Sequence, residues 1–322
     1  MTMPDKLILG SRGSQLALWQ ARHIAARLEA FGVPAEIKII RTTGDRITDV
    51  PLAKVGTKGL FTKEIEEALL AGEIDLAVHS LKDLPTEQPE GLTIAAVPPR
   101  EDPRDVLVSR GGAALEDLPR GARIGTGSPR RAAQIRAVRP DLEVAPVRGN
   151  VDTRIRRMLE GRFHGMILAA AGLSRLGVLA GMSGDAPNVA AAPSSARVSF
   201  LSQDQCVPAV GQGALAIETR ASDAAARALV AAIHHAETAE AVASERAFLA
   251  ALGGGCRVPV AALALVSGGR LSLRGVVAST DGARLVRVSG DGAIGLAIQL
   301  GERLARQAIE QGADAILSAT EP

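Results

Sequence analysis

The stretch Leu7-Ile-Leu-Gly-Ser-Arg-Gly-Ser-Gln-Leu-Ala-Leu-Trp-Gln20 decides the fold class. An apolar triplet reads as a strand. A short turn follows, and Ser14 then caps an amphipathic helix that runs to Phe31. The same alternation repeats outward from it. Glu36 to Arg41 reads as a strand, Phe61 to Ala71 as a helix with Phe61, Ile65, Ala68 and Leu69 on one face, and Ile74 to His79 as a strand. Such a β-α-β-α-β order predicts a mostly parallel sheet with helices on its faces.

Pro98-Pro99-Arg-Glu-Asp-Pro103 interrupts this pattern, which then resumes. Strands are expected from Asp105 to Ser109, at Arg123 to Thr126, at Leu142 to Val147 and at Met166 to Ala170. Helices are expected from Pro129 to Val138 and from Val151 to Glu160. Two successive α/β units imply two lobes with a cleft between them. Thr43 to Gly59 reads as a long loop, and Ala180 to Gln205, rich in Ala, Ser, Pro and Gly, as a surface excursion. A strand at Ala214 to Glu218 and a largely helical stretch from Ala221 to Leu252 come next. After Gly253-Gly-Gly255, strands at Val258 to Val266, Arg270 to Ala278 and Arg284 to Val288 precede a helix at about Leu296 to Gln311. Grouped strands followed by a helix predict a small α+β domain.

Composition narrows the function. A chain of 322 residues is long for one core. A net charge of +2 does not favour a nucleic-acid partner, and 2% aromatic residues nearly exclude a base-stacking platform. Two cysteines cannot build a disulfide framework, and with five histidines they show no metal-ligand spacing, so no metal is expected. No apolar run has the length of a membrane span, and Met1 to Lys6 lacks a signal-peptide pattern. A cytoplasmic protein without a membrane partner is the expectation.

The arginines carry most of the functional signal. Arg12 falls in the turn after the first strand, and Arg130 and Arg131 open a helix after another. Arg148 ends a strand, Arg154 lies in the next helical turn, and Arg175 follows the strand after that. Ligands of open α/β sheets bind at the carboxyl ends of strands, where all these arginines map. In Thr126-Gly-Ser-Pro-Arg-Arg131, Ser128 is a suitable N-cap, Pro129 suits the first helical position, and the free N–H groups there attract anions. Adjacent arginines can hold carboxylates in fork geometry. Any single one also reads as a solvated surface residue; the set points to a ligand with several carboxylates or phosphates. No nucleotide-binding glycine motif is present, which disfavours nucleotides.

Three further segments bear on chemistry. Lys54-Val-Gly-Thr-Lys58-Gly reads as a basic lid or as a plain solvated loop. In His79-Ser-Leu-Lys-Asp-Leu-Pro85, Asp83 reads either as a turn former or as a carboxylate that stabilises a cation and moves protons, and His79 as a structural hydrogen-bonding residue. Cys256, between three glycines and Arg257, reads as an approachable thiol or as a small buried hydrophobe; Cys206 has no such setting.

Taken together these segments resemble the hydroxymethylbilane synthase (porphobilinogen deaminase) family. The resemblance rests on Arg12 with Leu16 to Gln20, Pro51 to Gly56, Lys58 to Phe61, Ala77 to Pro85, Arg100 to Asp105, Arg148 to Asn150, Ala169 to Leu176, Pro208 to Ala214 and Gly253 to Pro259, in family order. It implies an α/β protein with two periplasmic-binding-protein-like lobes plus a small C-terminal α+β domain. The implied division is 1–101 with 207–231, then 102–206, then 232–322. It also implies a monomeric transferase of tetrapyrrole (heme) biosynthesis that takes porphobilinogen as substrate. The implied cofactor is dipyrromethane, joined by a thioether to Cys256 and retained as a primer. Four porphobilinogens are added, each losing ammonia to give an azafulvene-type electrophile, and hydrolysis releases linear hydroxymethylbilane.

By the same resemblance Asp83 is catalytic. Lys82, Ser80, Thr126, Ser128, Arg130, Arg131, Arg148 and Asn150 contact the cofactor together with Asp83. Arg12, Ser14, Gln20, Arg148, Arg154 and Arg175 contact substrate, and Lys54, Lys58 and Phe61 belong to a mobile active-site loop. Each pyrrole carries an acetate and a propionate, so many arginines suit the chemistry. Gly127 stands where the family often has Ser, Gln15 where Pro is common after Ser14, and Asp152 where Gly is common. Two rivals explain less. A non-catalytic anion-binding protein leaves Asp83 and the triglycine cysteine without a role, and a cysteine hydrolase needs a histidine beside Cys256.

Overall fold

A computed structural model describes residues 6–46, 60–182, 196–253 and 259–319. The chain forms two compact units, one of residues 1–101 with 214–242 and one of 102–213 with 243–322.

The first unit opens with β1 (Leu7–Ser11), α1 (Gln15–Glu29) and β2 (Ala35–Ile39), followed by a single helical turn, α2 (Thr43–Arg46). α3 (Lys63–Leu70), β3 (Leu76–Ser80) and β4 (Leu92–Ala96) come next. The second unit begins with β5 (Asp105–Arg110), β6 (Arg123–Gly125), α4 (Pro129–Val138), β7 (Glu143–Ala145) and α5 (Val151–Leu159). It continues through β8 (Gly165–Ala169), α6 (Ala170–Arg175), α7 (Val178–Met182) and β9 (Ala196–Phe200). The chain then returns to the first unit with β10 (Leu215–Arg220) and α8 (Ala224–Val230), and α9 (Ala236–Ala251) follows. A meander of β11 (Val260–Ser267), β12 (Arg270–Ala278) and β13 (Leu285–Ala293), then α10 (Ala297–Glu310) and α11 (Ala313–Ser318), completes the second unit.

The first sheet has the order β2-β1-β3-β10-β4 and the second β7-β6-β8-β5-β9. Each contains three parallel strands, then one antiparallel strand delivered by a crossover of the chain, then an edge strand. Equal topology in the two sheets, with the separate antiparallel sheet β11-β12-β13, is the α/β class with two lobes and a small α+β element that the sequence predicts.

Burial on both faces explains the apolar strands. In the first sheet, Leu7, Leu9, Leu76, Val78 and Ile217 pack with Ile24 and Leu28 of α1. Ile74 and Ala77 meet Ile65 and Leu69 of α3 in a second cluster. In the second, Val106, Val108, Met166 and Leu168 join Ile155, Met158 and Leu173. The alternate residues Leu107, Ile124 and Ile167 join Ile135 of α4, Leu201 and Cys206. α10 covers the meander with Leu300, Leu304 and Ala308.

Three expectations change. The surface excursion expected over Ala180 to Gln205 contains a strand, because Ala196 and Val198 alternate onto the core while the edge residue Phe200 is covered by the Arg104 guanidinium, 4.0 Å from its ring centroid. The loop expected from Thr43 contains α2, whose residue Thr43 is held by Glu64 through its amide, at 2.8 Å, and through its hydroxyl. β4 is also present where no strand was expected; Leu92, Ile94 and Ala96 supply its period of two.

Candidate active site

In the first unit the candidate residues follow the carboxyl ends of two parallel neighbours, β1 and β3. Ser14 accepts the Ala17 amide and starts α1 as its N-cap, as predicted. Arg12, in the turn before it, lies over the Phe61 ring at 4.2 Å. Gln20, buried on α1, donates from Nε2 to the Ser80 hydroxyl at 2.9 Å. Four of the expected residues thus fall into two contacting pairs.

After Ser80 the chain makes one 3-10 turn, Leu81 to Asp83. Its sequence, Leu-Lys-Asp-Leu, sorts its own side chains. Leu81 and Leu84 are buried in a cluster with Val97, Ala214 and Ala216, and the Leu81 amide donates to the Ala214 carbonyl at 3.0 Å. Lys82 and Asp83 are left exposed. No hydrogen bond or ion pair to another described residue engages the Asp83 carboxylate. A charged oxygen pair on an anchored turn can face a substrate without first breaking a protein contact.

His79 points to the other side of that strand end. It is buried, with Nε2 3.2 Å from Glu218 Oε2 on β10, and Glu66 of α3 interacts with both. A structural role is what the sequence suggested for it.

In the second unit the candidates follow β6, β7 and β8, which are parallel. Ser128 caps α4 by accepting the Arg131 amide, Pro129 occupies the first turn, and the Ser128 amide donates to the Thr126 hydroxyl. Gly127 has a steric reason. A Cβ there would lie 2.7 Å from the Val147 carbonyl oxygen, so the serine common in the family does not fit this backbone. Gly149 has φ +109° between Arg148 and Asn150, and Asn150 stands exposed at the start of α5.

The side chains of α5 fold back on that turn. Arg154 Nε donates to the Gly149 carbonyl at 2.7 Å, and Arg157 Nη1 to the Arg148 carbonyl at 2.9 Å. Burial, then the charges of Arg131 and Arg157, push the Arg154 guanidinium down to about 10. No carboxylate among the described residues pairs with Arg154 or with the half-buried Arg148. The Arg154 guanidinium thus sits beside two others without a carboxylate of its own, which fits a ligand carrying carboxylates. Arg157 was not foreseen; its place one turn after Arg154 on a helix was the available signal.

Arg130 and Arg131 differ from expectation, since their forks already hold a protein carboxylate. Asp105, fully buried at the start of β5, receives Arg130 Nη1 on Oδ2 at 2.8 Å and Arg131 Nη2 on Oδ1 at 2.7 Å. Burial alone would raise the Asp105 carboxyl, but the two guanidiniums outweigh it and hold it well below the usual carboxylate range. Arg130 also donates to the Val207 carbonyl at 2.6 Å. Arg175, at the end of α6, is buried and donates to the Gly213 carbonyl at 2.6 Å. Cys256, Lys54 and Lys58 lie outside the described residues. Among the described residues no group of His, Cys, Asp and Glu could hold a metal ion, and no helix is long and apolar enough to cross a membrane.

Residues 7–228 match the porphobilinogen deaminase, dipyromethane cofactor binding domain, and residues 239–310 match the C-terminal domain of the same enzyme. The chain belongs to the porphobilinogen deaminase family. It is similar to the porphobilinogen deaminases of Syntrophomonas wolfei, at 52% identity, and Syntrophobacter fumaroxidans, at 48%, each over 98% of both chains. That of Desulforudis audaxviator is 51% identical over 98% of both chains. As a member of this family the chain is a transferase of tetrapyrrole biosynthesis, a hydroxymethylbilane synthase, and the larger match is the domain that holds the family's dipyrromethane cofactor.

Proposed function

We propose that the arginines at the strand ends of the second unit hold the acetate and propionate groups of the pyrroles, while Asp83 serves the reacting ring. The guanidinium cluster of Arg131, Arg154 and Arg157 carries this reading, because it concentrates positive charge with no carboxylate on Arg154. Arg148, Thr126, Ser128 and Asn150 border it in sequence and add polar donors. Such a donor set fits a dipyrromethane group. When bound, that group supplies a pyrrole carbon as the nucleophile that accepts each new unit.

The chain's own residues do the rest. Asp83, exposed and unengaged, stabilises positive charge on the reacting pyrrole nitrogen and takes up the proton lost when the ring is substituted. Lys82 and Ser80 flank it, with Ser80 oriented by Gln20. Arg12 and Arg175 receive substrate carboxylates, and Ser14 fixes the turn that carries Arg12. Lys54, Lys58 and Phe61 contact substrate, and Cys256 bears the thioether. Under the same reading the enzyme is a cytoplasmic monomer of three domains (1–101 with 207–231, 102–206, 232–322) that engages neither nucleic acid nor membrane.

Incubation of the purified protein with porphobilinogen tests this assignment. One ammonia per porphobilinogen consumed and a linear tetrapyrrole product are expected from the wild type. Arg148→Leu is expected to stall chain growth at an intermediate length. Wild-type kinetics at every elongation step in Arg148→Leu would remove the role given to the arginines.

A further inference from the structure

The first turn of α4 carries two adjacent buried arginines, and a single carboxylate serves both. Their partners differ in a way that separates their roles. Arg130 reaches Asp105 Oδ2, the Val207 carbonyl and the Cys206 sulfur. It ties the segment at 206–207 to the start of β5. Arg131 instead spreads over Asp105 Oδ1, from Nε at 2.9 Å and Nη2 at 2.7 Å, the Ile167 carbonyl at 3.2 Å, and Gln212 Oε1 at 3.3 Å.

Gln212 is the second member of this clamp. Its Nε2 donates to Asp105 Oδ1 at 2.9 Å and to the Pro103 carbonyl at 2.7 Å, so its oxygen is turned toward Arg131. Four donor contacts fix one guanidinium, which has five N–H groups. Arg131, so fixed, stands near enough to Arg154 for their charges to interact. Guanidiniums of like charge separate unless something restrains them. Arg154 is restrained by the Gly149 carbonyl and Arg157 by the Arg148 carbonyl. Asp105 and Gln212 restrain Arg131.

We propose that Asp105 and Gln212 are positioning residues for carboxylate binding, holding the Arg131 guanidinium beside Arg154 before the pyrrole chain arrives. This rests on reading the cluster as the carboxylate holder. A cation set in place beforehand loses less freedom when the ligand binds, so the clamp acts on affinity more than on the chemical step. Asp105 touches neither substrate nor reacting atoms on this view, and Arg130 acts as a structural anchor.

Holoenzyme variants test the proposal. Asp105→Asn keeps shape and removes charge, but it leaves two arginines buried without their counter-ion and can fail to fold. Gln212→Met is therefore the working variant. It is expected to raise KM for porphobilinogen about tenfold, the effect of one lost preset contact, while kcat falls less than about threefold. In the Gln212→Met background, Arg154→Met is expected to add less than it does alone, because the pair it belonged to is already displaced. A lowered Tm with unchanged KM, or fully additive effects of the two substitutions, would overturn the positioning role. If Arg154→Met alone leaves KM unchanged, the carboxylate reading fails first and takes this proposal with it.

Discussion

Replacing Arg154 by Met should weaken the enzyme's hold on its ligand and yet strengthen the fold. The guanidinium is pushed from its ordinary value down to about 10, first by burial and then by Arg131 and Arg157. A displacement of that size corresponds to roughly 3 kcal/mol against the charged form, at about 1.4 kcal/mol per tenfold in proton affinity. The substitution also loses the hydrogen bond to the Gly149 carbonyl, worth about 1 kcal/mol. About 2 kcal/mol of relief remains, an upper figure because the group is partly open to solvent. Met keeps the length and apolar stem of the side chain. Apo-protein of the variant should therefore melt a few degrees higher than wild-type apo-protein, at roughly 2–4 °C per kcal/mol. Its KM for porphobilinogen should rise about 10–150-fold, the range for losing a charge-assisted hydrogen bond of about 1.5–3 kcal/mol. Differential scanning calorimetry and steady-state kinetics read the two effects separately. A lower Tm together with an unchanged KM would refute the reasoning, since Arg154 would then be an ordinary structural cation.

Other outcomes follow from individual groups. Asp83→Asn should retain the covalent cofactor, read by mass, while kcat falls by about 10²–10⁴-fold; normal turnover would defeat the role given to Asp83. Burial and the neighbouring Asp105 carboxylate push the Cys206 thiol up to about 12 against Arg130 and Arg131, so the Cys256→Ser protein should titrate no thiol when native and one when denatured. A reactive thiol in native Cys256→Ser protein would contradict that burial. Gly127→Ser should lower stability by about 1–3 kcal/mol, because the new Cβ meets the Val147 carbonyl oxygen at 2.7 Å; an unchanged urea midpoint would show that the turn relaxes freely. Burial, aided by Glu218 and opposed by the Thr62 hydroxyl and His79, raises the Glu66 carboxyl, so its stabilising proton is lost as pH rises through that raised value. Glu66→Gln keeps a neutral group at every pH, so its urea midpoint relative to wild type should climb between pH 4.5 and 7.5, and a flat or falling difference would contradict the assignment.

Much of the architecture was legible because it is written in local patterns. Apolar triplets at Leu7 to Leu9 and the helical period of Ser14 to Phe31 declare a strand and a helix without reference to the rest of the chain. Ser14 and Ser128 announce their helices by residue type and position alone. Placement of the arginines at strand ends was legible for the same reason, since turn and helix start fix where each side chain emerges. β9 was hidden because five residues at the edge of a sheet, following an Ala- and Pro-rich run, differ little in composition from a loop.

The partner of an arginine is another matter. Arg130 and Arg131 look equivalent in sequence, yet Asp105 stands 25 positions from one and 26 from the other, and Gln212 stands 81 from Arg131. Only the order β8-β5 in the sheet brings them together. Arg157 reads in sequence as one more exposed helical cation, and only the fold shows its side chain turned back on the Arg148 carbonyl. Local sequence displays which cations lie near a ligand edge, while the tertiary pairing decides which of them remain available to a ligand.

The intact mass of the purified protein under denaturing conditions tests the central claim most directly. The account predicts an excess equal to two linked pyrrole units on the wild type, and the bare polypeptide mass for Cys256→Ser. A catalytically active wild-type protein at the bare polypeptide mass would contradict it.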